Sequence, residues 1–163
     1  MDQVFGALFP HVLTAVLAGV LLRLAWIDQK TFRLPDRYTL PLIVAGLGLS
    51  AFMPEPSLTA RLIGAAAGFL SLGLIGELHF RRSGAEGLGL GDAKLFAAAG
   101  SWLGWQALPL VLLIAALAGL ASAFLRPGPR DAPIAFGPML AFAFLLCWIV
   151  QGFFTLSSPF SGS

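Results

Sequence analysis

Apolar residues along this chain fall into long unbroken runs joined by short polar connections, rather than the mixed pattern of a surface helix or the alternation of a half-buried strand. A helix that crosses a bilayer needs about 20 apolar residues, with a range of about 17–25. A first run extends from about Leu8 to Ile27, a second from about Tyr38 to Met53, and a third from about Leu58 to Phe80. After a polar connection comes a 33-residue stretch from Ala93 to Leu125, and then a last run from about Ile134 to Phe154. As one helix the long stretch would measure about 50 Å at about 1.5 Å per residue, more than tilt can absorb in a hydrocarbon core of about 30 Å. Its middle, Gly104-Trp105-Gln106-Ala107-Leu108-Pro109, has a turn signature and an interfacial aromatic. Two helices fit there if the first, about Ala93 to Trp105, is short. The pattern predicts an all-α, polytopic membrane bundle of six transmembrane helices, the fourth short, forming one domain over residues 1–163.

Charge placement favours six spans over five. With six, the connections after the first, third and fifth helices carry Lys30, Arg33, Arg37, Arg81, Arg82, Lys94, Arg126 and Arg130, which is eight of the ten basic residues on one face. The opposite face holds only Arg61, while Arg23 lies within the first helix. Basic residues mark the cytoplasmic side, so both termini of this multi-pass chain are expected outside the cytoplasm. The start, MDQVFGALFP, has no basic segment before its apolar run and no small-residue cleavage site. It reads as a retained helix rather than a signal peptide.

Composition supports a lipid solvent. Hydrophobic residues make up 58% of the chain and charged residues 11%, against roughly 45–50% and 25% in soluble domains. The net charge of +2 is small and its basic residues form no stripe, which argues against nucleic acid as a partner. The single cysteine, Cys147, lies in an apolar run, where it reads as a small buried side chain. It leaves no disulfide framework or cysteine cluster. No His-Glu-Xaa-Xaa-His is present, and His11 and His79 fall on opposite faces, which disfavours a shared metal or a serine–histidine pair. No metal or cofactor is expected.

Most of the eight acids have ordinary explanations. Asp2, Glu55 and Asp131 fall in loops or at the terminus, Glu77 is spaced to pair with Arg81 at i+4, and Asp36 beside a helix start reads as a cap. Glu86 lies in the loop between the third and fourth helices, where it could touch a basic substrate. Asp28 and Asp92 differ. Asp28 directly follows Leu24-Ala25-Trp26-Ile27 at the cytoplasmic end of the first helix, and Asp92 opens the fourth after Gly87-Leu88-Gly89-Leu90-Gly91. Both belong to one side of the membrane at similar depth. Ionisable residues at membrane depth are costly and face a polar cavity or a partner. A purely structural role, with Lys94 or Lys30 pairing with either acid, is the competing account. The alternating glycines give a backbone without side-chain cover, able to adopt φ > 0 and to let another chain approach. A phosphate-cradling loop would need a preceding strand and a lysine-serine/threonine ending, and both are missing.

These residues resemble the type IV prepilin leader peptidase family, the Gly-Xaa-Gly-Asp aspartyl proteases of bacterial inner membranes. The segment from Ile27-Asp28 through Leu34-Pro35-Asp36 to Thr39-Leu40-Pro41 is similar to the first family motif. Gly89-Leu90-Gly91-Asp92-Ala93-Lys94-Leu95, extended by Gly100-Ser101-Trp102-Leu103-Gly104-Trp105, is similar to the second, and Phe136-Gly137-Pro138 to a Phe-Gly-Pro before the last helix. The resemblance implies an intramembrane aspartyl endopeptidase with Asp28 and Asp92 as its catalytic pair and Asp36 as a lower-ranked alternative to Asp28. Gly89, Gly91, Lys94, Asp36 and Glu86 are the candidates for substrate contact or support. The implied partner is a prepilin-like or pseudopilin precursor whose basic leader is removed at the cytoplasmic face. Larger bacterial members carry an additional N-terminal cytoplasmic segment with a cysteine cluster and also N-methylate their product. This chain looks like the short, peptidase-only form, from which methyltransferase activity is not expected.

Helix polarity assigns Asp92, at a helix N-terminus, as the base and Asp28, at a helix C-terminus, as the acid. A rival reading is a small proton- or ion-coupled transporter using the same acids as ion sites; a scaffolding membrane subunit is another.

Overall fold

The computed structural model describes residues 2–83, 89–125 and 135–157. Six α-helices account for nearly all of them: α1 (Asp2–Thr31), α2 (Asp36–Gly48), α3 (Leu58–Ser83), α4 (Leu90–Leu103), α5 (Leu108–Leu125) and α6 (Gly137–Ser157). Short 3-10 turns follow α2 at Leu49–Ala51 and α4 at Trp105–Ala107. Among the described residues there is no strand, and the chain is an all-α membrane bundle. Three stretches are long and apolar enough by themselves to cross a membrane: Pro10–Thr31, Leu58–Leu78 and Trp105–Leu125. The apolar part of α6, Gly137–Gly152, is shorter.

The long apolar stretch divides as expected. Gly104 takes φ +80°, the left-handed region, and this ends α4 after 14 residues. At about 1.5 Å per residue α4 is about 21 Å long, short of the hydrocarbon thickness of about 30 Å. Several boundaries differ from expectation, two of them in the short helices. The helix begins at Leu90 rather than Ala93, because Leu90 and Gly91 already have helical backbone and Gly89 stands in the extended conformation before them. The second helix stops at Gly48 instead of reaching Met53, its apolar tail continuing as the 3-10 turn.

The short α4 is the centre of the bundle. Ala93 and every residue from Leu95 to Leu103 are buried, as a helix apolar on all sides requires. It packs against α2, α3 and α6, most extensively against α3. Glycines bring the α3 and α4 backbones into contact. A Cβ on Gly100 would overlap the carbonyl of Gly64, and one on Gly68 would meet the Phe96 oxygen at 2.8 Å. On the other side the Trp102 ring meets Trp148 and Phe144 edge to face, with centroids 5.2 Å and 6.1 Å apart. Its Nε1 donates to the Leu42 carbonyl of α2 at 2.8 Å. Cys147 is buried in this core, as a small apolar side chain would be. The outward faces carry Leu22, Val44, Leu70 and Leu117 in the open, which suits lipid as the surrounding solvent.

Arg61, the one basic residue that charge placement assigns to the outer face, is completely buried. Its guanidinium donates to five carbonyl oxygens, those of Gly46, Glu55, Pro56, Ser101 and Trp102.

Candidate active site

One cavity of about 1080 Å³ opens where α1, α3, α4 and the start of α6 converge, and both Asp28 and Asp92 line it. They are near enough for the charge of one to act on the other. Two residues 64 positions apart in the sequence thus share one pocket.

Each acid is placed by local structure. Asp28 lies in the last turn of α1 and is only 5% exposed. Its Oδ2 accepts a hydrogen bond of 3.0 Å from the backbone N–H of Gly137, the first residue of α6. Pro138 follows in the first turn of α6, where a missing N–H costs nothing. Gly137 itself cannot be larger: a Cβ there would stand 2.6 Å from Asp28 Oδ2 and 2.9 Å from its Cγ. The glycine of the Phe-Gly-Pro segment thus makes room for a carboxylate, a role the sequence did not reveal. The α6 N-terminus faces Asp28 just as the α4 N-terminus carries Asp92, so helix polarity no longer separates base from acid.

Asp92 sits in the first turn of α4, partly buried, with its backbone N–H bonded to the Gly89 carbonyl at 3.0 Å. Gly91 is a close-approach residue. A Cβ there would meet Leu34 Cβ at 2.8 Å, so the linker between α1 and α2 lies directly on the first turn of α4. Gly89 has no such neighbour, its nearest contact being an ordinary 3.8 Å. Neither glycine uses positive φ. Gly89 is extended and Gly91 is helical, so the freedom to adopt φ > 0 is not used at either. Gly87 and Glu86 lie outside the described residues.

The linker carries its own turn. Phe32 takes φ +51° at the end of α1, and its N–H bonds the Asp28 carbonyl at 2.8 Å. Left-handed backbone costs an L-residue about 1–2 kcal/mol. The turn sends Leu34 back over α4 and leaves Phe32 on the cavity wall.

The remaining candidates separate cleanly. Asp36 is not a cap: Pro35 occupies that position without a side-chain bond, and Asp36 is the first residue of α2. Its Oδ1 instead accepts from Lys94 Nζ at 2.6 Å, at the cavity rim. Lys94 therefore pairs with neither Asp28 nor Asp92. Lys30 lies 4.0 Å above the Trp26 ring, in cation–π contact. Glu77 and Arg81 form the expected i,i+4 pair at 2.7 Å. The cavity wall from α3 is largely apolar, with Phe69, Leu70, Leu74 and Phe80, and Glu77 stands at its polar end.

Among the described residues no group of histidine, cysteine, aspartate or glutamate side chains is arranged to hold a metal ion. Of the four carboxyls that line the cavity, Asp36 and Glu77 are paired with Lys94 and Arg81, and the chemistry left is that of Asp28, held by a backbone N–H, and Asp92, facing an apolar wall.

Known proteins resemble this chain over most of its length. Residues 15–124, which include both aspartates, match the type IV leader peptidase family. The chain is 44% identical over 142 residues to a prepilin leader peptidase/N-methyltransferase of Pectobacterium carotovorum subsp. carotovorum, covering 85% of this chain and 51% of the relative. It is 48% identical over 129 residues to the protein so named in Burkholderia pseudomallei, covering 77% and 42%. A third, from Aeromonas hydrophila, is 44% identical over 132 residues, covering 78% and 46%. The chain spans about half the length of these curated relatives. No solved structure matches it. With most of its length matched at this level of identity, the chain belongs to the type IV leader peptidase family.

Proposed function

We propose that the protein is an aspartyl endopeptidase that cleaves the leader from a type IV prepilin-like precursor at the cytoplasmic face of the bacterial inner membrane, with Asp28 and Asp92 as its catalytic pair. The observation that carries this reading is the single cavity lined by both carboxyls. Two carboxyls in one site cannot both ionise cheaply, so they share a proton. One takes a proton from the attacking water while the other donates to the scissile carbonyl, and the tetrahedral intermediate collapses as the leaving amine is protonated. The pair acts as a unit, so its titration belongs to both groups together. The Gly137 N–H, bonded to Asp28 Oδ2, fixes the orientation of that carboxyl while protons move.

The apolar wall supplied by α3 suits the apolar helix of a precursor, and the acids lie at the level where its junction with a basic leader would rest. The basic residues grouped at the same end of the bundle support a cytoplasmic orientation for this face. Glu86 is the acid for a basic leader, since Glu77 is paired with Arg81, and Lys94 and Asp36 hold the rim.

The test is co-expression with a prepilin-like precursor, scored by loss of the leader on a gel, for wild type, Asp28→Asn and Asp92→Asn. Positioned acid–base groups contribute about 10²–10⁴-fold, so each variant should lose at least about 10²-fold. Substantial cleavage by either variant overturns the dyad, and cleavage by neither variant nor wild type overturns the peptidase reading.

A further inference from the structure

An α-helix leaves its last four carbonyls without intrahelical partners, and at the end of α4 water cannot supply them, because Ser101, Trp102 and Leu103 are buried. All four are nonetheless satisfied. Gly104 N–H bonds the Gly100 carbonyl at 2.9 Å, and Gln151 Nε2 of α6 donates to Leu103 at 3.3 Å. The remaining two, Ser101 and Trp102, accept from Arg61 Nη1 of α3 at 3.2 Å and 2.8 Å. The same nitrogen reaches the Gly46 carbonyl near the end of α2 at 3.2 Å, while Nε and Nη2 bond Pro56 and Glu55 in the segment before α3. Every partner is a carbonyl oxygen. A cation at two helix C-termini is favoured by both dipoles, and the planar fork of arginine serves acceptors in several directions, which lysine cannot.

We infer that Arg61 is the positioning residue that fixes the depth and axial register of α4, and through that rigid helix the placement of Asp92 at its other end. The two helices that stop short, α2 and α4, are the two whose ends Arg61 joins. A rigid helix transmits a shift at one end undiminished to the other. A misplacement of about 1 Å at a reacting group can cost about 100-fold in rate. The rate consequence rests on the peptidase reading above; the geometric consequence does not.

The experiment uses the full chain in lipid nanodiscs, with spin labels at Leu22→Cys on α1 and Leu90→Cys at the start of α4 in a Cys147→Ala background. The distance between them is measured with and without Arg61→Lys. In parallel, kcat and KM per folded molecule are measured on unlabelled protein for wild type, Arg61→Lys and Thr14→Val. Thr14→Val removes the Trp148–Thr14 hydrogen bond between α1 and α6 and serves as a control that loosens the bundle while keeping every cap at the end of α4. The expected result is a distance change of about 1.5 Å or more, one helical rise, with kcat down at least about tenfold and KM changed less than about twofold. Thr14→Val should keep the kcat of wild type. An unmoved distance, an unchanged kcat in Arg61→Lys, or an equal loss in Thr14→Val each overturns the inference. Should Arg61→Lys not fold, Gln151→Leu, which removes one cap of the same helix end, takes its place: a smaller change in the same direction is expected, and wild-type distance and kcat overturn the inference. If wild type cleaves nothing, the peptidase reading falls while the label distance still decides the role of Arg61.

Discussion

The backbone N–H of Gly137 donates to Asp28 Oδ2 at 3.0 Å, joining the start of the last helix to the end of the first. The contact leaves no room for a side chain, since a Cβ on Gly137 would stand 2.6 Å from the same oxygen. Gly137→Ala should therefore turn the Asp28 carboxyl away or push α6 outward. Overpacking of this kind costs about 1–3 kcal/mol, visible as a lower Tm. Cleavage per folded molecule should fall at least about tenfold, because the carboxyl loses its fixed orientation. Full activity in Gly137→Ala would show that Asp28 does not depend on this contact.

Asp36 and Asp28 are separated by the same kind of measurement. Asp36 is 57% exposed and paired with Lys94 at the rim, whereas Asp28 is buried in the cavity. An exposed ion pair contributes about 0–1 kcal/mol, so Asp36→Asn should lower stability by less than about 1 kcal/mol. Its cost in cleavage should stay below about tenfold, against at least about 10²-fold for Asp28→Asn. A larger loss in Asp36→Asn than in Asp28→Asn would reverse their ranking.

The backbone contact between α3 and α4 yields a stability prediction independent of any activity. Gly100→Ala places a methyl group on the Gly64 carbonyl, and a helix backbone cannot rotate aside as a side chain can. The loss should approach about 3 kcal/mol, the upper end of ordinary overpacking, in thermal unfolding of the protein in nanodiscs. Gly19→Ala, at a position with open space around it, should leave Tm unchanged or slightly higher, as alanine favours helix over glycine.

Gly104→Ala tests the break after α4. At φ +80° the added Cβ would cost about 1–2 kcal/mol in backbone strain, and it would also stand 3.2 Å from Pro56 Cβ. A Tm drop no greater than that of a surface substitution would show that the chain turns here without needing glycine.

What the sequence made legible follows from how each signal is encoded. The division of the Ala93–Leu125 stretch was visible because length against bilayer thickness is a local property, and Gly104 marks the break. That Asp28 and Asp92 line one cavity was foreshadowed by sidedness, which counting spans provides. The roles of Gly137 and Arg61 were not visible. The partner of Gly137 lies 109 residues away, and two of the carbonyls bound by Arg61 are 40 and 41 residues away. Backbone carbonyls carry no residue type, so nothing in the pattern distinguishes an arginine that seeks them from one in a solvated loop. Asp36 was misread as a cap for a related reason: its partner Lys94 is 58 residues distant.

The burial of α4 on every side has a consequence for how the protein could meet different precursors. The helix that carries Asp92 is covered by α2, α3 and α6 from Leu95 to Leu103 and offers no face of its own there. Under the function proposed above, differences in precursor preference fall to the apolar wall of α3 and to the turn at Phe32, while the anvil on which the bond is cut stays the same.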